Sequence, residues 1–368
     1  MATGAEKYEE LFGEARARFE SGRHGECGSV LAELRGLGLK WLQRRKVAAL
    51  MMDNAFSSDR REDFLDALHS DYVRRNLDRT DYDYWARIAA TPPMEVQWPA
   101  APVTLPLYRV GPEGNALYGV DVSVNGVKLS GVLDNCASDY CDISQDLAGK
   151  LGVRPIGKRI KINGNRWKRA YIGVVDSLAL GDLVLKNVLF SVSGKNEALT
   201  AAHPFDVIIG GNVLRQTGDM IIDNEAEKVT FSRETLNLPQ NIFWTYPGHG
   251  FFVEGSVGEE EVKLLLDLGC SYTNLNKQFL DSLPAETKLP ESSTRAVMLD
   301  RAWDSKTYTL PSARFAFCDT VCELSNVNIL LKDYGTRGMS GKIGTDLFRR
   351  YKFVFFNARQ LYLRLISG

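Results

Sequence analysis

Two short, similar strings of residues each place one aspartate directly after an apolar run. Residues 133–138 read LDNCAS, and residues 266–271 read LDLGCS. Asp134 and Asp267 lie 133 positions apart (267 − 134). Gly210, which ends VIIG, and Gly344, which ends KIG, lie 134 positions apart (344 − 210). The near-constant offset indicates that one unit is duplicated and that each copy carries one carboxylate.

Two equivalent carboxylates on two copies of one fold are expected to face each other across a pseudo-twofold axis. Adjacent carboxylates do not easily ionise together, so they share a proton and titrate in two separate steps. One carboxyl can then act as a base while the other acts as an acid. A single such aspartate is usually a turn residue at the end of a strand, but the duplication at constant offset favours the pair.

The elements that must position these aspartates follow an N-terminal stretch, residues 5 to about 90, with helical periodicity. Its apolar residues recur at three- and four-residue steps from Tyr8 to Phe19, and Ser21-Gly22 ends that helix. Further helices are predicted at residues 28–37, 40–56, 60–75 and 81–90. The stretch 15–34 resembles a single tetratricopeptide-type helical hairpin. Two interpretations stay open for this region: a plain helical bundle, or a segment that binds a partner or inhibits.

A proline-rich stretch from Thr91 to Pro106 predicts a linker, and after it the pattern changes to short alternating runs. Residues 117–124 form one such run and end at Asn125-Gly126, a strong hairpin signal. The sequence of the second copy starts at residues 251–257. These boundaries predict a helical domain at 1–95, a first lobe at 96–240 and a second lobe at 241–368.

At these residues the chain resembles the retropepsin-like and pepsin-like aspartic proteases, in the bilobal single-chain form found in bacteria. The family signature is an apolar residue and Asp-Thr/Ser-Gly-Xaa-Ser/Thr, answered later in the lobe by two apolar residues and Gly. The resemblance covers roughly residues 103–368. It implies a mainly β fold, in which two duplicated acid-protease-like β-barrel lobes form a cleft, preceded here by an α-helical N-terminal domain.

The resemblance also implies roles for residues near the two aspartates. Asp134 and Asp267 would hold a water molecule that attacks a peptide carbonyl. The supporting positions of the two signature loops are Asn135, Cys136, Ser138, Leu268, Gly269, Ser271, Gly210 and Gly344. Members of the family cover the substrate with a hairpin flap from the first lobe, and the candidate here is the hairpin at residues 159–171, with Asn163-Gly164 at its turn. Its aromatic candidates are Trp167 and Tyr171, and Trp303 holds a comparable place in the second lobe.

Several residues depart from the family signature. Asn135 and Leu268 replace the Thr or Ser that braces the two loops, so the brace is expected to be asymmetric because Leu has no polar group. Cys136 replaces a glycine, and its Cβ would strain the loop if the backbone needs a positive φ. Lys342 replaces the first apolar residue of the second glycine motif.

Two further roles are conceivable for the thiols beside the dyad. Cys136 and Cys270 each lie within three residues of a dyad aspartate, so a disulfide or a Cys2Asp2 metal site across the lobes is an alternative. A small buried thiol that fills a packed loop is the commoner outcome. The six cysteines are sparse for a 368-residue chain, and we interpret them as free thiols, with Cys318 and Cys322 the exception if the chain is exported.

Composition and motif searches exclude other classes of protein. A net charge of −1 with 25% charged residues gives no basic block for nucleic acid, and no apolar run has the 18 or more residues of a membrane span. The four histidines lack metal-ligand spacing, and residues 335–343 depart from a phosphate-binding loop. The nucleotide-binding and zinc-hydrolase interpretations are thereby excluded, and the resemblance to the aspartic proteases implies that no metal or organic cofactor is required.

These observations give two functional hypotheses. The first is an aspartic endopeptidase that hydrolyses one bond of a peptide or protein through a water shared by Asp134 and Asp267. The second is a catalytically impaired or inactive member of the fold that binds peptides. The helical region is a candidate site for a partner or a leader peptide. The charged N-terminus predicts a cytoplasmic protein if the chain is complete, and a periplasmic or secreted one if a signal peptide was removed.

Overall fold

The computed structural model describes residues 4–137, 139–162, 166–194, 201–248, 250–298, 301–331 and 338–368. The chain forms two compact units: Met1–Pro93 with Phe243–His249, and Met94–Ile242 with Gly250–Gly368. The second unit is mainly β, as the sequence predicts. In the described part of the chain no helix is both long and apolar enough to cross a bilayer.

The first unit is helical. Its helices are α1 (Gly4–Glu20), α2 (His24–Arg35), α3 (Trp41–Ser57), α4 (Arg61–His69), α5 (Asp71–Asn76) and α6 (Arg79–Ala89). The apolar stripe of α1 is buried, from Tyr8 to Phe19, and the ring of Tyr246 packs edge-on to Phe19 at 5.7 Å between centroids. The apolar residues from which the sequence predicts α1 are thus buried in the core of this unit. Its role as a partner-binding or inhibitory region stays a prediction.

One helix predicted over residues 60–75 is two helices in the structure. Ser70 has an extended backbone (φ −61°, ψ 141°), and its side chain accepts a hydrogen bond from the Val73 amide. Serine is a favoured residue at the N-terminus of a helix because its hydroxyl satisfies an otherwise unpaired amide. The prediction of a continuous helix is therefore wrong at Ser70, where α4 ends and α5 begins.

Within the described ranges, the second unit contains the strands of the two lobes and several short helices. The strands of the first lobe and its approach are β1 (Glu95–Gln97), β2 (Val103–Pro106), β3 (Tyr108–Val110), β4 (Leu117–Val124), β5 (Val127–Asp134), β6 (Cys141–Ser144), β7 (Arg154–Ile162), β8 (Arg166–Leu180), β9 (Leu183–Ser193), β10 (Val207–Gly210), β11 (Asp219–Asp223) and β12 (Lys228–Ser232). Those that follow are β13 (Phe243–Trp244, in the helical unit), β14 (Phe251–Val257), β15 (Glu260–Leu266), β16 (Asn274–Asn276), β17 (Glu291–Met298), β18 (Arg301–Phe317), β19 (Thr320–Leu330), β20 (Gly341–Ile343), β21 (Phe353–Asn357) and β22 (Tyr362–Ile366). The helices are α7 (Gln145–Lys150), α8 (Gly211–Leu214), α9 (Lys277–Ser282) and α10 (Thr345–Phe348).

Each lobe closes into a ring of strands with the same topology. In the first lobe the ring runs β9-β6-β10-β5-β4-β8 and returns to β9. In the second lobe it runs β19-β16-β20-β15-β14-β18 and returns to β19. The strands correspond one to one, including the parallel pairs β10–β5 and β15–β20. The duplication seen in the sequence is thus a duplication of a closed β-barrel.

A further sheet joins the two lobes, in the order β2-β12-β11-β21-β22. Its central pairing places Met220 of the first lobe beside Phe356 of the second. The strand β2 lies in the proline-rich segment, so the prediction of a simple linker is wrong there. The prolines do not prevent pairing because β2 is the edge strand, where a missing N–H is tolerated.

Candidate active site

Equivalent strands position the two aspartates at equivalent points of the lobes. Asp134 ends β5 and pairs in parallel with Gly210, while Asp267 directly follows β15, whose Leu266 pairs in parallel with Ile343. The loop after each aspartate returns to the segment that follows the glycine. The amide of Gly211 donates to the carbonyl of Ala137 at 2.9 Å, and the amide of Thr345 donates to the carbonyl of Cys270 at 2.8 Å.

The two motif glycines are required by this close backbone packing. A Cβ on Gly210 would lie 2.5 Å from the carbonyl oxygen of Ala137, and a Cβ on Gly344 would lie 2.8 Å from that of Cys270. Any side chain at either position would push the aspartate loop away from its strand. The glycines that the sequence singled out therefore hold the two loops, and they do so in the same way in both lobes.

The structure brings the two carboxyl groups together. One carboxylate oxygen of Asp134, one of Asp267 and the sulfur of Cys136 all lie within 4.8 Å of one another. Asp267 is 6% exposed, and Asp134 is partly buried. Two oxygens this close can bind a common water molecule, which is the arrangement that the duplicated motifs predict.

Asn135 fastens the two loops to each other across the lobe interface. Its side-chain amide donates to the carbonyl of Leu266 at 2.8 Å, and its side-chain oxygen accepts from the amide of Leu268 at 2.8 Å. Asn135 is fully buried, at 0% exposure. A single asparagine thus makes two bonds to the backbone of the opposite loop. The brace is asymmetric, as the sequence predicts, because Leu268 contributes only its backbone.

Replacing Asn135 by alanine is expected to loosen this interface. The substitution leaves the buried Leu268 amide without its acceptor and removes one donor from Leu266, which lowers the free energy of unfolding by about 2 to 4 kcal/mol. Urea unfolding monitored by tryptophan fluorescence measures the change. Asn135→Thr replaces the carboxamide by one hydroxyl, which can form one of the two hydrogen bonds, and should give an intermediate loss. An Asn135→Ala variant within 0.5 kcal/mol of the wild type would contradict the proposed brace.

Cys136 is accommodated without the strain that the sequence suggested. It is not among the non-glycine residues with positive φ in the described part of the chain, so the condition for that strain is not met. Its sulfur lies 3.1 Å from the carbonyl of Leu266, and its amide donates to Asp134 at 2.8 Å. Burial raises the pKa of the Cys136 thiol well above its usual value, so the thiol is neutral. All six cysteines are free thiols.

Lys342 is the residue of this site whose role the sequence did not reveal. Its ammonium nitrogen lies 2.8 Å from Oδ2 of Asp267, and both side chains are largely buried, at 16% and 8% exposure. Burial lowers the pKa of Lys342, but the charge of Asp267, the hydrogen bond to it and the nearby Cys270 and Cys136 together more than offset this and leave the pKa above its usual value. The only signal in the sequence was a lysine in a motif position that is otherwise apolar.

The charges around Asp134 give it a different environment from Asp267. Burial and the negative charge of Asp267 raise the pKa of Asp134 to about 7, although the amides of Cys136 and Ala137 and the charge of Lys342 act to lower it. Asp134 is therefore protonated below neutral pH, whereas Asp267 is paired with an ammonium group. The two carboxyls are suited to opposite roles in proton transfer.

The same cluster is poorly suited to a metal ion. Its Asp134, Cys136 and Asp267 ligand atoms are close enough to bind one cation. The Lys342 ammonium already contacts Asp267 at 2.8 Å, and a metal would have to sit against that positive charge. The Cys136 thiol would also have to lose a proton whose pKa is raised. The arrangement fits a proton-sharing pair better than the alternative Cys2Asp2 metal site.

The remaining predicted site residues are placed as follows. Gly269 packs directly against the carboxylate of Asp134, and Ser271 is buried, with its carbonyl 3.3 Å from the hydroxyl of Thr345. Tyr171 is partly buried in β8, opposite Val192. Ser138, the turn at Asn163-Gly164 and the side chains of Trp167 and Trp303 lie outside the described residues. The hairpin of β7 and β8 is present, while its role as a flap stays a prediction.

Two closed β-barrels that each contribute one aspartate to a common site define the aspartic-protease class of fold. Residues 120–213 match the model of the aspartyl protease family. This match, over a segment of the first lobe, confirms the resemblance predicted from the sequence motifs. The matched segment contains Asp134, the signature loop and Gly210.

Solved structures similar to this chain include a protease and two basic 7S globulins. A retropepsin-like aspartic protease from Rickettsia conorii has 17% identity and a TM-score of 0.27, and the match covers 38% of this chain and 92% of that one. Basic 7S globulin from soybean has 11% identity and a TM-score of 0.44, with 73% and 96% covered. Conglutin gamma from lupine seeds has 11% identity and a TM-score of 0.40, with the same coverage. No curated protein matches the chain.

Proposed function

We propose that this protein is an aspartic endopeptidase. The observation that carries the proposal is the approach of the Asp134 and Asp267 carboxyls, whose oxygens lie within 4.8 Å at the ends of equivalent strands. Oxygens at this separation can hold one water molecule between them. A peptide that lies along the two lobes would then present its carbonyl carbon to this water.

The proposed reaction is a general acid–base hydrolysis without a covalent intermediate. The ionised carboxylate takes a proton from the water as the oxygen attacks the peptide carbonyl, while the protonated carboxyl hydrogen-bonds the carbonyl oxygen. Collapse of the tetrahedral intermediate breaks the C–N bond and transfers a proton to the leaving amine. One oxygen from water enters the new carboxyl terminus, and the dyad returns to its starting charge.

The direct test is cleavage of a diverse peptide mixture by the wild-type protein between pH 4 and 8, read by mass spectrometry. We expect new termini at internal bonds and one labelled oxygen per new carboxyl group in H2¹⁸O. A statine-type inhibitor, which imitates the tetrahedral intermediate, should suppress cleavage at least tenfold. Absence of cleavage over the whole pH range would contradict the proposal, as would cleavage insensitive to the inhibitor.

The second candidate is a peptide-binding protein without catalysis. The observation that favours it is the ion pair between Lys342 and Asp267 at 2.8 Å, which weakens the base if it persists with substrate bound. A binding protein would take up peptides and the statine-type compound with similar affinity and release the peptides intact. An enzyme would bind the statine-type compound far more tightly than the peptides and release cleaved products.

A further inference from the structure

We propose that Lys342 is a positioning residue that assigns the roles of the two aspartates, holding Asp267 as the ionised base and leaving the dyad proton on Asp134. This inference rests on the proposed peptidase function, which it deepens by naming the group that sets the working pH. Aspartates of one duplicated unit would otherwise differ little. Lys342 is a residue in which the two lobes differ, and it acts directly on the aspartate of the second lobe.

The pseudo-symmetry of the lobes shows what the lysine replaces. Lys342 pairs in parallel with Leu265, two residues before Asp267, and Ile208 pairs in parallel with Val132, two residues before Asp134. The two residues therefore occupy equivalent positions. Ile208 is buried, at 4% exposure, in an apolar cluster, whereas Lys342 places an ammonium group on Asp267. Among the described residues, only the dyad aspartate of the second lobe, and not that of the first, forms an ion pair with a cation.

The contact of Lys342 is directional. The ammonium meets Oδ2 of Asp267, while Oδ1 of Asp134 accepts two backbone amides, from Cys136 at 2.8 Å and from Ala137 at 3.1 Å. A neutral Asp134 can still accept these amides through its carbonyl oxygen and carry its proton on the other oxygen. A protonated Asp267 would lose most of its attraction to a buried ammonium. The proton of the pair is thus more stable on Asp134.

Other titratable groups also face this pair. The described groups whose ionised forms would interact with Asp134, Asp267 or Lys342 are Cys136, Asp142, Cys270 and Tyr272. Burial raises the pKa of each thiol and of Tyr272 above its usual value, so these groups are neutral at pH 7. Burial also raises the pKa of Asp142 to about 7. Among the described groups whose charge acts on Asp134, Lys342 is the positively charged one.

The arrangement predicts the pH range of the enzyme. Cleavage needs a protonated Asp134, so activity should fall as the pH rises through about 7, where this carboxyl loses its proton. Removing the Lys342 charge strengthens the repulsion between two ionised carboxylates, and the dyad then holds its proton more tightly. The alkaline limb of the profile should move to higher pH by about one unit or more.

Three substitutions of Lys342 test this inference. Lys342→Met keeps the volume without the charge, Lys342→Ile copies Ile208, and Lys342→Arg keeps the charge. We expect the alkaline limb of kcat/KM to move upward by about one pH unit or more in the Met and Ile variants, and by less than half a unit in the Arg variant. An unchanged limb in the Met and Ile variants would overturn the inference.

A readout without turnover separates this inference from the proposed function. Carbon-13 NMR of labelled aspartate side chains follows the titration of Asp134, which is assigned by its loss in Asp134→Asn. An upward shift of that titration in Lys342→Met supports the role of the lysine even if no peptide is cleaved. The absence of cleavage would contradict only the peptidase proposal. A titration that is the same in Lys342→Met and wild type overturns the inference even if peptides are cleaved.

Discussion

Asp134→Asn is expected to abolish peptide cleavage and to stabilise the fold at alkaline pH. The pKa of this carboxyl is about 7 in the folded protein, against 3.8 for an ordinary aspartate. Protonated Asp134 thus contributes stability that is complete below about pH 4 and is lost as the pH rises through 7. Asparagine is neutral throughout and avoids that loss. At pH 8 the free energy of unfolding should therefore exceed that of the wild type by about 2 to 4 kcal/mol.

The measurement is urea unfolding of both proteins from pH 4 to 8, combined with a cleavage assay. We expect the difference in stability to grow between pH 4 and 7, and cleavage to fall at least about a thousandfold. Asp182→Asn, a substitution of an exposed aspartate in the turn between β8 and β9, is the matched control and should give a flat difference. A pH-independent difference for Asp134→Asn would contradict the assignment of the proton to this carboxyl.

The same substitution at Asp267 should have the opposite effect on stability. Asp267→Asn leaves the buried ammonium of Lys342 without its carboxylate at 2.8 Å. Breaking a buried ion pair by removal of one partner costs about 3 kcal/mol. Both asparagine variants should lose cleavage, but Asp134→Asn is more stable and Asp267→Asn less stable than the wild type at pH 8. Two stabilising substitutions would refute the asymmetric dyad.

The sequence was sufficient to predict the pair of aspartates and the two lobes. Each signal was local: a short apolar strand, an aspartate, and a glycine later in the same lobe. The glycines carry this information because a Cβ at Gly210 or Gly344 would collide with backbone of the aspartate loop. A requirement of the backbone fixes the residue type, so the motif stays visible even where Asn135 and Leu268 differ from the family signature.

The contacts between the lobes were not predictable in the same way. An asparagine side chain can donate and accept hydrogen bonds, but the partners of Asn135, Leu266 and Leu268, lie more than 130 positions along the chain. Only the fold brings that backbone within hydrogen-bond reach. The effect of Lys342 also depends on the face of β20 on which its side chain lies, because Asp267 lies on that face. The sequence showed an unusual residue and not its partner.

Gly269→Ala is expected to disrupt the dyad from the opposite lobe. A Cβ at this position would lie 2.6 Å from Oδ1 of Asp134, and closer still to the rest of the carboxyl group. Asp134 cannot turn away freely because Oδ1 accepts the amides of Cys136 and Ala137. Either the carboxyl or the whole loop must move. A displacement of about 1 Å costs roughly a hundredfold in rate, so kcat/KM should fall at least about a hundredfold.

The control for this effect is Gly149→Ala in α7, where an added Cβ meets no atom within 4 Å. That variant should keep full activity and gain a little stability, because alanine favours a helix. Gly269→Ala should also shift the titration of Asp134, since the proton affinity of this carboxyl depends on its distance from Asp267. Full activity together with an unchanged titration would show that the two loops do not press on each other.

The equivalent position in the first lobe already holds Cys136, so only one lobe needs glycine here. The tight contact of Gly269 with Asp134 is thus a second asymmetry of the dyad, and its two loops should not be interchangeable.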